Sequence, residues 1–250
     1  MHEEYCIEKY ALLLRDAVNS AIVGIEFSDF LSEARKLLGY KYNDDWVLLT
    51  CSLDLLEDTE LAKKNYYKFQ LPGPTRYEDI GENYLRLYGV LNSVYLQKNA
   101  VFELSELFDI QNKVVLNKAI NNLAVCKLRN IAGSHTTNYH DWESKSKQSF
   151  MVARYSLNTN KIRVVPPKGN YLEFELTEVI SEFNKRIEDY LDIILAKFIA
   201  SVFRKTRGKH RDYTKRLERI RKERQGDIFI DFGNKTFHVS LTPSPKTTND

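Results

Sequence analysis

Ile80-Gly-Glu-Asn-Tyr-Leu-Arg-Leu-Tyr-Gly-Val-Leu-Asn-Ser-Val-Tyr-Leu-Gln-Lys-Asn-Ala-Val-Phe-Glu-Leu-Ser-Glu-Leu-Phe108 is the stretch on which the fold class turns. Ile80, Tyr84, Leu87, Tyr88, Leu91, Val94, Tyr95, Val101, Leu104 and Phe108 recur with the 3.6-residue period of one helix face, and no proline interrupts them. A long amphipathic helix of this kind needs other helices to bury its apolar side. Upstream, Leu71-Pro-Gly-Pro74 ends a second pattern, from Trp46 to Phe69, which Asn43-Asp44-Asp45 opens with capping side chains. Before it, Ser28-Asp29 caps a short helix through Leu38, and Cys6, Tyr10, Leu13, Leu14, Ala17 and Ala21 form the stripe of a helix predicted from about residue 3 to 22. Downstream, Val115, Leu116, Ala119, Ile120, Leu123 and Leu128 lead to Arg129-Asn-Ile-Ala-Gly-Ser-His135, where Gly133 predicts a helix end.

Composition agrees with a helical class. The 10 glycines fall short of the roughly 18 that average usage of about 7% gives, and with 6 prolines the chain lacks the turn residues of a sandwich or barrel. At 43% hydrophobic and 28% charged it is neither a disordered nor a collagen-like chain. Its apolar runs are too short to span a membrane, and an acidic start at Met1-His2-Glu3-Glu4 is unlike a signal peptide, so a cytoplasmic protein is expected. Cys6, Cys51 and Cys126 lack CxxC spacing and read as reduced core thiols rather than as a disulfide framework or zinc knuckle.

From Phe150 to Leu176 β-branched and alternating residues, broken at Asn158-Thr159-Asn160 and Pro166-Pro167-Lys168-Gly169-Asn170, predict an antiparallel β meander. A long helix follows, with Ile180, Phe183, Ile187, Tyr190, Leu191, Ile194 and Phe198 on one face. The expected division is a helical domain over 1–203 carrying the meander at about 150–176, a basic segment at 204–226, and a terminal hairpin with a disordered tail at 227–250. The net charge of +3 hides a dipole. Eleven Lys/Arg and three Asp/Glu between Arg204 and Arg224 give that segment +8 and leave −5 to the rest. Such a segment either engages nucleic-acid phosphates or packs on the acidic surface of its own chain.

Arg followed by His after four to six residues occurs twice, at Arg129…His135 and Arg204…His210, and about one such pair is expected by chance in a chain with 15 Arg and 5 His. Context separates them: the second lies among Lys205, Arg207 and Lys209, whereas the first ends an apolar-striped helix with Asn130 directly after the arginine. Arg129-Asn130-x4-His135 in an otherwise helical chain resembles the R-x4–6-H signature of the HEPN superfamily, whose arginine is typically followed by a polar residue. The likeness covers this motif and its flanking helices; the meander and the basic segment lie outside it. It implies a HEPN-like helical bundle, a homodimer with its site near the interface, and metal-independent RNA cleavage of the kind found in toxin–antitoxin and phage-defence systems, with an antitoxin as possible partner. The alternative within the same family is a catalytically silent module that binds nucleotide or RNA or serves assembly. Outside it stands a plain helix bundle in which Arg129 and His135 make internal hydrogen bonds.

The side chains suit the chemistry independently. Guanidinium is a permanent cation with a fork of donors for phosphate oxygens, and imidazole exchanges protons near neutral pH. Arg129 would stabilise charge on the phosphorane, His135 act as general acid or base towards the 2′-hydroxyl and leaving oxygen, and Asn130 orient one of them. Around them Lys127, Ser134, Tyr139 and His140 offer donors and an aromatic ring to RNA, and Lys209, Arg211, Lys215, Arg216 and Arg219 of the basic segment are the candidate phosphate contacts. No cofactor and no metal are expected, since His135 and His140 lack the spacing and companions of a ligand set. On a regular α-helix Arg129 and His135 would stand about 120° apart and about 9 Å along the axis, which favours either unwinding at Gly133 or a site made by two chains.

Overall fold

Long one-sided helices bury their stripes by packing side by side, and the computed structural model, which describes residues 6–76, 79–134, 139–141, 146–233 and 235–240, does so with eight α-helices. They are α1 (Ile7–Ile22), α2 (Phe30–Leu38), α3 (Asp45–Phe69), α4 (Ile80–Leu107), α5 (Lys113–Asn121), α6 (Ala124–Leu128), α7 (Leu176–Val202) and α8 (Arg207–Arg224). α3 and α4 form a hairpin, and α7 packs against both α4 and α1. Leu87, Val90, Leu91, Val94, Val101 and Leu104 of α4 meet Leu49, Leu53 and Leu56 of α3 and Ile180, Phe183, Ile187 and Phe198 of α7 in one core. Each such side chain contributes about 1.5–3 kcal/mol by leaving water.

The link between α3 and α4 shows how a local signal becomes structure. Arg86 donates from Nη1 to the carbonyls of Leu71 (3.1 Å) and Gly73 (2.8 Å) and from Nη2 to that of Pro74 (2.6 Å), clamping the turn to α4. Only glycine fits at position 73, because a Cβ there would lie 2.0 Å from the carbonyl oxygen of Phe69.

The helical run expected from Val115 to Gly133 is divided. Asn121-Asn122 end α5, Leu123 turns extended (φ −64°, ψ 146°), α6 restarts at Ala124, and residues Arg129–Ser134 form a π-helical turn. Asparagine is a weak helix former, and the buried Leu123 takes up the break. Gly133 keeps a negative φ inside the π turn, which runs to Ser134.

The meander is present as β3 (Met151–Val152), β4 (Lys161–Val165) and β5 (Leu172–Glu175), antiparallel in the order β3-β4-β5 with Ile162 opposite Phe174. A 3-10 helix, Arg154–Asn158, occupies the first connection. Ile162, Val164 and Phe174 are buried, which fixes the sheet to the bundle by one face. Two short strands, β1 (Tyr139–Asp141) and β2 (Ser146–Gln148), pair antiparallel between the π turn and the meander. The terminal hairpin joins β6 (Ile228–Phe232) to β7 (Lys235–Val239) through Gly233 at φ +56°. The expected disordered tail, residues 241–250, lies outside the described residues. Among the described residues no helix is long and apolar enough to cross a membrane. Cys6 and Cys126 are core thiols as expected, whereas Cys51 is exposed on the outer side of α3.

Candidate functional site

Val125, Cys126, Leu128, Ile131 and Ala132 are buried, and their burial turns the half-buried Arg129 and Asn130 towards the edge of α4. There the Arg129 guanidinium carbon lies 3.8 Å from the centroid of the Tyr95 ring, a face-on cation–π contact. Lys98, one turn along α4, stands 5.2 Å from the same ring and donates to Asn121 Oδ1 at 2.8 Å. Arg129 Nη1 reaches Asn130 Oδ1 at a long 3.4 Å, so most of its donor fork is uncommitted within this pair. The crevice among Val94, Tyr95, Lys98, Cys126, Arg129 and Asn130 measures about 10 Å³, room for a water molecule but no more. Two cations share one aromatic platform here, and none of the described lining residues is a carboxylate. Burial pushes the Cys126 thiol pKa up, partly offset by Lys98 and Arg129, which keeps it protonated.

The π turn alters the spacing argument for this motif. Its hydrogen bonds run from i to i+5, so the backbone that returns over Arg129 is that of Ser134, not of Gly133. His135 itself and the side chains of Ser134, Tyr139 and His140 lie outside the described residues. Lys127 is exposed on α6.

The candidate phosphate contacts of the basic segment divide into two sets. α8 lies against α1 and α7 with Tyr213, Leu217 and Ile220 buried, and much of its charge meets acids of its own chain. Arg216 pairs with Asp16 at 2.5 Å, and Arg219 pairs with Glu223 (3.1 Å) and with Asp231 of β6 (2.9 Å) while covering Phe229. Arg221 holds Asp192 at 2.7 Å, and Arg224 joins Glu188 (3.1 Å) and Asp189 (2.6 Å). Lys209 donates to the Ser20 carbonyl at 2.7 Å. Arg211 and Lys215 are exposed and have no carboxylate partner among the described residues. The exposed pairs are each worth about 1 kcal/mol or less. Glu188 differs because it is buried and also accepts the Cys6 backbone N–H, so Arg224 balances a carboxylate that water does not reach.

Sequence reasoning missed a polar cluster inside the bundle. Lys63, 1% exposed, directs its ammonium group to Glu60 Oε1 (2.5 Å), Gln97 Oε1 (2.7 Å) and Asn184 Oδ1 (2.6 Å). Gln97 Nε2 donates in turn to Glu60 Oε1 (2.7 Å) and Thr59 Oγ1 (3.1 Å), and Asn184 Nδ2 to Tyr67 OH (3.0 Å). All three ammonium hydrogens are used, so this cluster ties α3, α4 and α7 together and has no donor left for a substrate. Burial drives the Lys63 pKa down, opposed by Glu60. A signal existed: Thr59, Glu60 and Lys63 continue the helical spacing of Leu49, Leu53 and Leu56, so polar residues occupy core positions.

Comparison with known proteins finds no matching family model, no similar curated protein and no similar solved structure.

Proposed function

We propose that the Arg129 end of the bundle is the phosphate-binding part of a HEPN-type, metal-independent ribonuclease site. The observation that carries this reading is the Arg129 guanidinium held flat on Tyr95 beside Lys98, two cations on one ring with no carboxylate among the described lining residues. An arginine so placed meets a phosphate with little loss of side-chain freedom, and the π turn that carries it is a form often found at functional sites. In the proposed reaction Arg129 stabilises charge on the phosphorane and Asn130 orients the arginine or the phosphate. His135, assigned from the sequence motif, moves the proton of the 2′-hydroxyl or of the leaving oxygen. A 2′-hydroxyl nucleophile restricts the substrate to RNA.

A homodimer with the site near its interface belongs to the same proposal. Leu85 and Tyr88 of α4 and Leu61 of α3 are exposed, and Leu85, Tyr88, Asn92 and Tyr95 follow one another along the outer side of α4 at helical spacing. A toxin or phage-defence role with an antitoxin partner in the cytoplasm completes it. The second reading, a silent nucleotide- or RNA-binding or assembly module, is favoured by one observation: the crevice of about 10 Å³ has no room for a base, so any nucleotide would sit over Arg129 rather than inside.

Labelled RNA incubated with the protein in EDTA tests the proposal. Cleavage that is lost in both Arg129→Ala and His135→Ala is expected. Cleavage unaffected by either substitution refutes the site, and RNA binding without cleavage, weakened by Arg129→Ala, supports the silent module instead.

A further inference from the structure

Where α7 ends and α8 begins, the chain turns through residues 203–206 beneath the end of α1 and the last turn of α2, and this elbow borders an open cleft of about 430 Å³. Four cations border it: Lys36 of α2, Arg204 and Lys205 of the turn, and Lys209 of α8. None of the described lining residues is a carboxylate. This is the reverse of the second half of α8, where Arg216, Arg221 and Arg224 meet Asp16, Asp192, Glu188 and Asp189. Two of the four cations have partners at the rim of the cleft. Lys36 is held from outside by Glu33 at 2.6 Å, and Lys209 by the Ser20 carbonyl at 2.7 Å. Arg204 and Lys205 are exposed and have no carboxylate partner among the described residues. The floor is rigid, since Phe203 is 2% exposed and stacks on Tyr213 with centroids 4.9 Å apart and planes within 6°. Like charges gathered on a rigid frame repel one another unless an anion lies between them. The opposite wall, Leu37 and Val202, is apolar, and Leu37 is 43% exposed, so a ligand with a non-ionic body also finds a surface there.

We infer that this elbow binds a small soluble polyphosphate ester, a nucleoside di- or triphosphate, at a site separate from Arg129. Phosphate alone is far smaller than the cleft, whose volume lies in the range of small-molecule sites. Four positive charges, one partly offset by Glu33, match two or three phosphoryl groups better than one. The apolar wall receives the nucleoside.

Calorimetric titration of the full chain with inorganic pyrophosphate, ADP and adenosine tests the inference independently of any RNA cleavage. ADP is expected to bind saturably at one site per chain, pyrophosphate to compete with it, and adenosine to bind at least tenfold more weakly. Arg204→Gln with Lys205→Gln, both at exposed positions and checked for an unchanged circular dichroism spectrum, should weaken ADP by about tenfold or more, while Arg129→Ala leaves it unaltered. No saturable binding of ADP, adenosine binding as tightly as ADP, or a loss that follows Arg129→Ala rather than the double variant overturns the inference.

Discussion

Lys63→Met removes the ammonium group at the centre of the buried cluster while keeping most of the side-chain volume. The Glu60 carboxylate, 5% exposed, then retains only the Gln97 amide donor, and the acceptor oxygens of Gln97 and Asn184 lose theirs. Removing one partner of a buried ion pair costs about 3–5 kcal/mol, and each orphaned buried acceptor about 1–3 kcal/mol, with overlap between the two. The expected loss is therefore about 4–6 kcal/mol. With a urea slope of about 3 kcal/mol per M, the unfolding midpoint should fall by roughly 1.3–2 M at unchanged slope. Lys63→Met combined with Glu60→Leu removes both charges and should recover much of the loss, because an apolar pair of similar volume replaces an ion pair without leaving a bare carboxylate. A Lys63→Met variant within about 1 kcal/mol of wild type, or a double variant no better than the single, would refute the reasoning that this pair is closed, dry and mutually dependent.

Of the three thiols, Cys51 alone should react quickly with a disulfide reagent under native conditions, since Cys6 is buried with its pKa pushed up to about 11 by that burial and Cys126 is buried as well; more than one fast thiol, or a fast thiol surviving Cys51→Ser, contradicts the packing. Burial raises the Glu188 pKa above its ordinary value, against the Cys6 N–H and Arg224, so folding favours its protonated form relative to the unfolded chain. The stability this contributes is fully present below about pH 4.5 and is lost as pH rises through the raised value, so urea midpoints from pH 4 to 7 should shift in favour of Glu188→Gln relative to wild type; a shift the other way refutes it. Arg211→Gln with Lys215→Gln should lower the salt dependence of single-stranded RNA binding by up to about 1.4 in log–log slope without moving the melting temperature, whereas Leu217→Ala, which opens a buried position under α8, should cost about 2–5 kcal/mol.

Those contrasts show which features were legible in the amino-acid order. The period-3.6 stripe of Ile80–Leu107 and the meander between Phe150 and Leu176 were readable because one-sided burial is written directly into residue spacing. The break at Asn122-Leu123 and the π turn were not, because hydrophobic period alone does not distinguish a continuous helix from two short ones that keep the same face. Charge counting identified the basic segment but left its direction open. That Arg216, Arg221 and Arg224 meet Asp16, Asp192 and Glu188 depends on residues far apart in the chain. For the same reason Arg129 could be chosen from its neighbours in sequence, yet its contact with Tyr95, which lies on another helix, could not.

The central proposal, RNA cleavage through the 2′-hydroxyl at Arg129 and His135, is tested most directly by the products from an oligonucleotide carrying a single cleavable site, assayed in EDTA. The proposal predicts a 2′,3′-cyclic phosphate on one fragment and a 5′-hydroxyl on the other, with no cutting when that one ribose is replaced by 2′-deoxyribose. A 5′-phosphate product, or cutting that persists at the deoxy position, would contradict it.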